Sequence, residues 1–245
     1  MPDEQLSIAA VLCAAGASIR MGGIKKEYLP IPKNPLTVLG SALSAFTACP
    51  RINRIVIATP PSSQTEARVA LGELLSEHWH KRVLFVDGGT TRRASVHSAL
   101  THLVPFNPSH VLIHDGARPW INLELIESII DAAITYGAVI PALPLTETPK
   151  ELEQSEGGGA VFIKRHLKRA AICAAQTPQG FKFPEILAAH EKAAARETAV
   201  RQSNGGNVLE YTDDAEVWGE FVGHVAVIPG DPGNKKITYP EDLRL

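Results

Sequence analysis

Cysteine is scarce in this 245-residue chain: Cys13, Cys49 and Cys173 are odd in number, widely spaced and free of any C-x-x-C pair. That excludes a disulfide framework and offers no zinc-ligand spacing. Cys13 and Cys173 lie in apolar runs and read as buried thiols. No apolar run is long enough to span a bilayer. The start, Met1-Pro2-Asp3-Glu4-Gln5, lacks the basic and apolar regions of a signal peptide. The expected setting is the cytoplasm, with no membrane partner. An excess of one charge sign is missing as well: the formal net charge is −2, where a nucleic-acid binder would show a basic face. Clusters of cations are therefore read as sites, and no nucleic-acid partner is expected. Internal repeats are absent. Two frequent nucleotide fingerprints also fail, since there is no G-x-x-x-x-G-K-[ST] and Ser18 stands where G-x-G-x-x-G needs its second glycine.

What is present is an ordinary globular composition, 44% hydrophobic and 20% charged. Apolar runs that suit strands fall at Ile8 to Leu12, Arg54 to Ala58, Val83 to Val86, Val111 to Ile113, Ala138 to Ile140, Ala171 to Ala175 and His224 to Ile228. Helix-period segments alternate with them at Leu36 to Ala48, Gln64 to Glu77, Ser95 to Leu103 and Leu123 to Ile134, and from Pro184 to Arg196. Asn122 is placed to cap the fourth of these. Alternation of this kind predicts an α/β fold: a three-layer, mostly parallel, Rossmann-like sheet with helices on both faces. The length suits one domain over residues 1–245. The rhythm breaks over residues 144–169, where a Pro/Thr/Glu-rich stretch leads to Gly157-Gly158-Gly159, then Val161-Phe162-Ile163, then a basic run. We read this as a protruding β-arm whose apolar tip packs on a partner chain. Asn204-Gly205-Gly206-Asn207 reads as a plain loop.

The segment from Ala9 to Gly23, followed by Lys25-Lys26-Glu27-Tyr28-Leu29, runs from a buried strand into small residues, then Gly16, then Arg20 and two lysines. Free backbone N–H groups followed by cations suit a polyphosphate. Gly88 to Val96 again sets glycines and hydroxyls between a strand and a helix start, where Thr91 or Ser95 serves as cap. His114-Asp115-Gly116-Ala117-Arg118-Pro119 ends a central apolar run, and Asp115 there needs Arg118 or a metal-bound phosphate as partner. His114 reads as structural. Gln176 to Phe181 is a turn signal, Thr212-Asp213-Asp214 a helix cap, and Lys235-Lys236 taken alone a solvated pair.

In order along the chain these segments resemble the 2-C-methyl-D-erythritol 4-phosphate cytidylyltransferase family. The motifs are A-A-G-x-x-x-R-M…K-x-Y-L at Ala14 to Leu29, G-G-x-T-R-x-x-S-V at Gly88 to Val96, H-D-G-A-R-P at His114 to Pro119, Q-T-P-Q-G-F at Gln176 to Phe181, T-D-D-A at Thr212 to Ala215 and N-x-K-I-T-x-P-E-D-L at Asn234 to Leu243. The resemblance implies a transferase joining CTP to a sugar-alcohol phosphate, with Mg²⁺ bound mainly through the CTP phosphates and no protein ligand set assigned to it. It implies catalytic roles for Arg20, Lys26, Arg169 and Lys236, and nucleotide binding by Ala14, Ala15, Gly16, Gly89 and Ser95. Asp115, Arg118, Thr148, Thr177 and Thr212 would be the substrate-binding set. It also implies a homodimer formed by arm exchange, with Thr148 and Arg169 serving the neighbouring site.

Four positions depart from the family pattern: Ser18 replaces a glycine, Lys25 a proline, Lys168 an acidic residue and Lys235 an apolar one. Spacing to Tyr28-Leu29 favours Lys26 over Lys25 as the catalytic cation, while Lys164 and Arg165 compete with Arg169. Two other readings stand beside the first. One is a cytidylyltransferase acting on ribitol 5-phosphate; the other is a catalytically silent nucleotide-binding protein of the same fold.

Overall fold

The computed structural model describes residues 6–75, 79, 81–155, 159–204 and 210–244. Met1 to Gln5, Gly157-Gly158 in the arm and Gly205-Gly206-Asn207 in the second glycine cluster lie outside the described residues.

The strands of the main sheet are β1 (Ile8–Cys13), β2 (Ile52–Thr59), β3 (Val83–Asp87), β4 (His110–Asp115) and β5 (Ala138–Pro144), joined after the arm by β8 (Cys173–Ala175), β9 (Gln179–Lys182) and β10 (Ala226–Pro229). The arm supplies β6 (Lys150–Gln154) and β7 (Val161–His166). Helices α1 (Val38–Ala48), α2 (Gln64–Leu71), α3 (Arg92–Leu103), α4 (Leu123–Tyr136), α5 (Phe183–Asn204) and α6 (Asp214–Phe221) connect them. The order across the sheet is β10-β5-β9-β4-β1-β2-β3, with β8 on β5. Pairs β1–β2, β1–β4, β2–β3 and β5–β10 are parallel. Strand β9 runs antiparallel between β4 and β5, and β8 is antiparallel to β5.

Side-chain alternation explains the three layers. On β1, Ile8, Ala10 and Leu12 join a core with α1, α2 and α4, whereas Ala9 and Val11 join a second core with α3, α5 and α6. Ile55 and Ile57 on β2 follow the first set, and Val56 and Ala58 the second. A strand buried on both faces needs a continuous apolar run, which is why these strands are legible in the sequence. Each fully buried side chain of this kind, such as Leu12 or Phe181, contributes about 1.5–3 kcal/mol of hydrophobic stabilisation.

Strand β9 was not expected. Its residues are Gln179-Gly180-Phe181-Lys182, with a single large apolar side chain. Gly180 lets α4 close on the sheet: a Cβ there would lie 2.8 Å from Ile129 Cγ2 and 3.0 Å from Ala133 Cβ. Close helix packing over a glycine replaces the apolar pattern that marks the other strands. A second correction concerns Cys173, which is exposed on the short β8 rather than buried; Cys13 is half-buried and Cys49 fully buried.

The arm is a hairpin. Among the described residues, strands β6 and β7 pair only with each other, Glu151 opposite Arg165. All six residues of β7 are exposed, Val161, Phe162 and Ile163 among them. Among the described residues no helix is long and apolar enough to cross a membrane.

Candidate active site

The sheet order places β1 beside both β2 and β4, with parallel neighbours on either side. The chain leaves β1 toward β2 and leaves β4 in the opposite direction, toward β5, and the crevice outside the carboxyl ends of such a strand pair is where open α/β sheets bind ligands. A cavity of about 550 Å³ lies there, lined by Cys13 and the following loop from Ala15 to Arg20, by Lys26 and Glu27, by Gly89 to Arg92 and Ser95, and by Asp115, Lys236 and Thr238.

The loop after β1 offers its backbone. Ala14 N–H is used by Ala58 O at 2.9 Å, but among the described residues no backbone acceptor takes the N–H groups of Ala15, Gly16, Ala17 or Ser18. Two 3₁₀ turns follow, Ile19–Met21 and Lys26–Tyr28. Their residues bring Arg20 and Lys26 to the cavity. Neither forms a salt bridge among the described residues; Arg20 stacks over the Tyr239 ring at 5.7 Å. Lys26 is 8% exposed. Burial pushes its ammonium below the ordinary lysine range; Glu27 opposes this, and Lys236 and Arg20 add to it. A part-desolvated ammonium beside other cations is stabilised by an incoming anion.

The loop between β3 and α3 forms the opposite wall. Thr91 caps α3 by accepting from Ala94 N–H at 3.1 Å, and Ser95 accepts from Gly89 N–H at 3.1 Å. The two loops touch across Gly88, where a Cβ would fall 2.3 Å from Ala15 Cβ and 2.8 Å from Ser95 Oγ. Glycine is required here by close approach, since no positive φ is involved.

Asp115 forms the floor at the end of β4. Its carboxylate lies 2.8 Å from Lys236 Nζ and 3.6 Å from both Arg92 Nε and Arg118 Nε. Burial would push this carboxyl up, but Lys236, Arg92 and Arg118 together hold it well below the usual carboxylate range. Arg92 also binds Asp214 at 2.7 Å, and Asp214 meets His190 at 3.2 Å. Asp214 and His190 are both fully buried. A line of paired charges thus runs from the interior to Lys236 at the cavity. His114 behind it is structural, with Nε2 at 3.1 Å from Arg118 O and Nδ1 at 3.1 Å from Thr177 Oγ1. Burial lowers its imidazole to about 4, so the ring is neutral.

The structure brings together Arg20, Lys26, Lys236, Ala15, Gly16, Gly89, Ser95 and Asp115. Ala14 is fully buried behind the cavity wall and its side chain does not line it. Arg118 is committed to Asn234 O at 2.8 Å, and the Thr177 hydroxyl accepts from Asp115 N–H at 3.0 Å, so both brace the floor from behind. Thr212 is exposed, its N–H and hydroxyl donating to Glu216 at 2.8 and 3.0 Å, while Asp213 caps α6. Thr148 and Arg169 belong to the arm and do not line the cavity of one chain; Arg169 donates to Thr146 O at 2.7 Å. Sequence reasoning missed Arg92. Its signal was there: Arg92 is the arginine of the G-G-x-T-R-x-x-S-V segment, at a helix start beyond a glycine loop, and was given no role.

Comparison with known proteins adds independent findings. The family model for IspD, 2-C-methyl-D-erythritol 4-phosphate cytidylyltransferase, matches residues 8–245. A bifunctional enzyme IspD/IspF from Bradyrhizobium sp. is 39% identical over 237 residues, covering 96% of this chain and 54% of that protein. Its counterpart from Bartonella tribocorum is 33% identical over 241 residues, covering 97% and 55%. The chain therefore spans about half the length of these relatives. Among solved structures, 4-diphosphocytidyl-2C-methyl-D-erythritol synthase from Anaerococcus prevotii is similar with a TM-score of 0.74 at 25% identity, covering 98% of this chain and 94% of that one. The 2-C-methyl-D-erythritol 4-phosphate cytidylyltransferase from Thermus thermophilus gives 0.68 at 27% identity, covering 98% and 96%.

Proposed function

The chain belongs to the 2-C-methyl-D-erythritol 4-phosphate cytidylyltransferase family, and on that premise we propose that it transfers the cytidylyl group of CTP to 2-C-methyl-D-erythritol 4-phosphate. A phosphate oxygen of the acceptor attacks the α-phosphorus of CTP in line, the bond from that phosphorus to the α–β bridging oxygen breaks, and diphosphate leaves with the electron pair. The observation that carries the reading is the meeting of Arg20 and Lys26, neither engaged by a carboxylate among the described residues, with uncommitted loop N–H groups on one cavity. Phosphoryl chemistry needs positioning and charge neutralisation above all. Preorganised cations aimed at the α-phosphate supply the second.

In this reading Ala15 and Gly16 lie against the triphosphate, while Gly89 and Ser95 face the base and ribose. Lys236, held by Asp115, faces the acceptor phosphate. Arg118 and Thr177 act by fixing Asp115 rather than by touching substrate. Asp115 is the carboxylate on the cavity floor, and Glu27 and Glu210 border it. Such a sparse donor set fits Mg²⁺, which binds through phosphates, water and one or two carboxylates. Three cations already engage Asp115, so the ion would be held mainly by the CTP phosphates and water, and when bound it would neutralise triphosphate charge.

The arm, residues 144–169 of the single domain 1–245, would exchange with a second copy to form a homodimer and bring Thr148 and Arg169 to the partner's cavity. Exposed Val161, Phe162 and Ile163 support that placement. Free cysteines and a nucleoside triphosphate substrate suit the cytoplasm. The test is an acceptor comparison: CTP and Mg²⁺ should release diphosphate with methylerythritol phosphate. Turnover with ribitol 5-phosphate alone would move the chain to the second reading.

A further inference from the structure

Two of the positions that set this chain apart, Ser18 and Lys25, converge on one side chain. Glu27 is 4% exposed. Its Oε2 lies 3.2 Å from Lys25 Nζ and 3.4 Å from Ser18 Oγ. The Lys25 ammonium also donates to Gly16 O at 2.6 Å and lies 5.8 Å from the centre of the Tyr28 ring. It does not line the cavity, whereas its neighbour Lys26 does. Two adjacent lysines are thus divided by function: one is consumed within the loop and the other is left for a ligand.

We infer that Glu27 latches the loop between Gly16 and Lys25, and that Lys25 is thereby a positioning residue for the nucleotide. The physical chain is short. The C=O of Gly16 and the N–H of Ala17 belong to one planar trans peptide and point in opposite directions. Anchoring that carbonyl on Lys25 fixes the plane and so the direction of the Ala17 N–H, on a residue that lines the cavity. Ser18 sits in the left-handed region at φ 51°, a conformation rare for a residue other than glycine. Its hydroxyl contact with Glu27 holds it there and curls the loop toward the turn that carries Arg20. Burial lowers the Lys25 ammonium and Glu27 opposes that shift, in keeping with a cation held by its own loop.

This inference rests on the cavity being the CTP site, so CTP affinity of the wild-type chain is measured first by calorimetry with Mg²⁺. Lys25→Ala should then raise KM for CTP on the order of tenfold, the cost of losing a charge-assisted hydrogen bond, while kcat changes less than about threefold. Lys25→Arg should recover most of the affinity. In the double variant with Glu27→Gln the loss should be no greater than the larger single loss, because the residues act as one unit. Should Lys25→Ala not fold, Lys25→Met, which keeps the stem without the ammonium, carries the same measurement. A wild type that binds no CTP overturns the functional reading and the latch together. A wild type that binds, with Lys25→Ala unchanged in KM or with the two losses multiplying, overturns the latch alone.

Discussion

Asp214 offers the sharpest stability prediction. The residue has no solvent exposure, its carboxylate holds Arg92 at 2.7 Å and His190 at 3.2 Å, and Arg92 in turn leans on Asp115. Asp214→Asn keeps the shape and removes the charge, leaving the guanidinium of a largely buried arginine short of a counter-ion. Breaking a buried pair from one side costs about 3–5 kcal/mol, and the amide oxygen retains a weak acceptor, so about 3 kcal/mol is expected. For a domain of this size that corresponds to a drop of about 6–12 °C in Tm. Burial pushes the Asp214 carboxyl up, but Arg92 and His190 outweigh it and hold it below its ordinary value. A lowered folded value gives stability that is complete above about pH 4 and lost as pH falls through the folded value. The gap in Tm between wild type and variant, followed by calorimetry, should therefore be full at pH 7 and narrow below about pH 4. A gap under about 1 °C at pH 7 would refute the reasoning, as would one that widens on acidification.

Lys26→Ala should lower kcat on the order of 10²–10³-fold, the usual cost of removing a preorganised electrostatic contact to a transition state; an effect smaller than that of Lys25→Ala on kcat would reverse the assignment of the two lysines. Gly88→Ala, whose new Cβ meets Ala15 and Ser95, should cost about 1–3 kcal/mol in urea unfolding and weaken CTP binding; an unchanged midpoint would show the two loops free to part. The His114 ring, lowered to about 4 by burial, should show the NMR shifts of a neutral imidazole down to about pH 5, and titration near pH 6.5 would contradict its enclosure. Burial pushes the Cys13 thiol up to about 12, so iodoacetamide at pH 8 should label exposed Cys173 before Cys13, and the reverse order would place Cys13 in solvent.

Much of this architecture is legible in the chain because local pattern and tertiary role agree. The β1 run is apolar on both faces, and Asn122 caps α4 by accepting from Leu125 N–H at 2.8 Å, as its position before an amphipathic segment implies. Strand β9 was opaque because a glycine under a helix carries no apolar signal. Cys173 misled for the opposite reason: an apolar run at a sheet margin looks like a core strand, yet all three residues of β8 are exposed. At the cavity, loop motifs pointed to Arg20, Lys26 and Lys236. The pairing of Arg92 with Asp214, 122 positions apart in sequence, has no local signature and emerges only when the first residues of α3 and α6 are brought together. Residues such as Thr177 and Arg118 fall in motif segments yet turn their polar groups into the scaffold, a distinction that spacing does not carry.

The central claim is cytidylyl transfer at this cavity, and following the α-phosphate tests it most directly. With CTP labelled at the α-phosphate, Mg²⁺ and methylerythritol phosphate, the wild-type chain should move the label into a diphosphocytidyl product, while label at the γ-phosphate appears in diphosphate; both rates should fall on the order of 10²–10³-fold in Lys26→Ala. Label retained in CTP, or α-label released as CMP without joining the acceptor, would contradict the account.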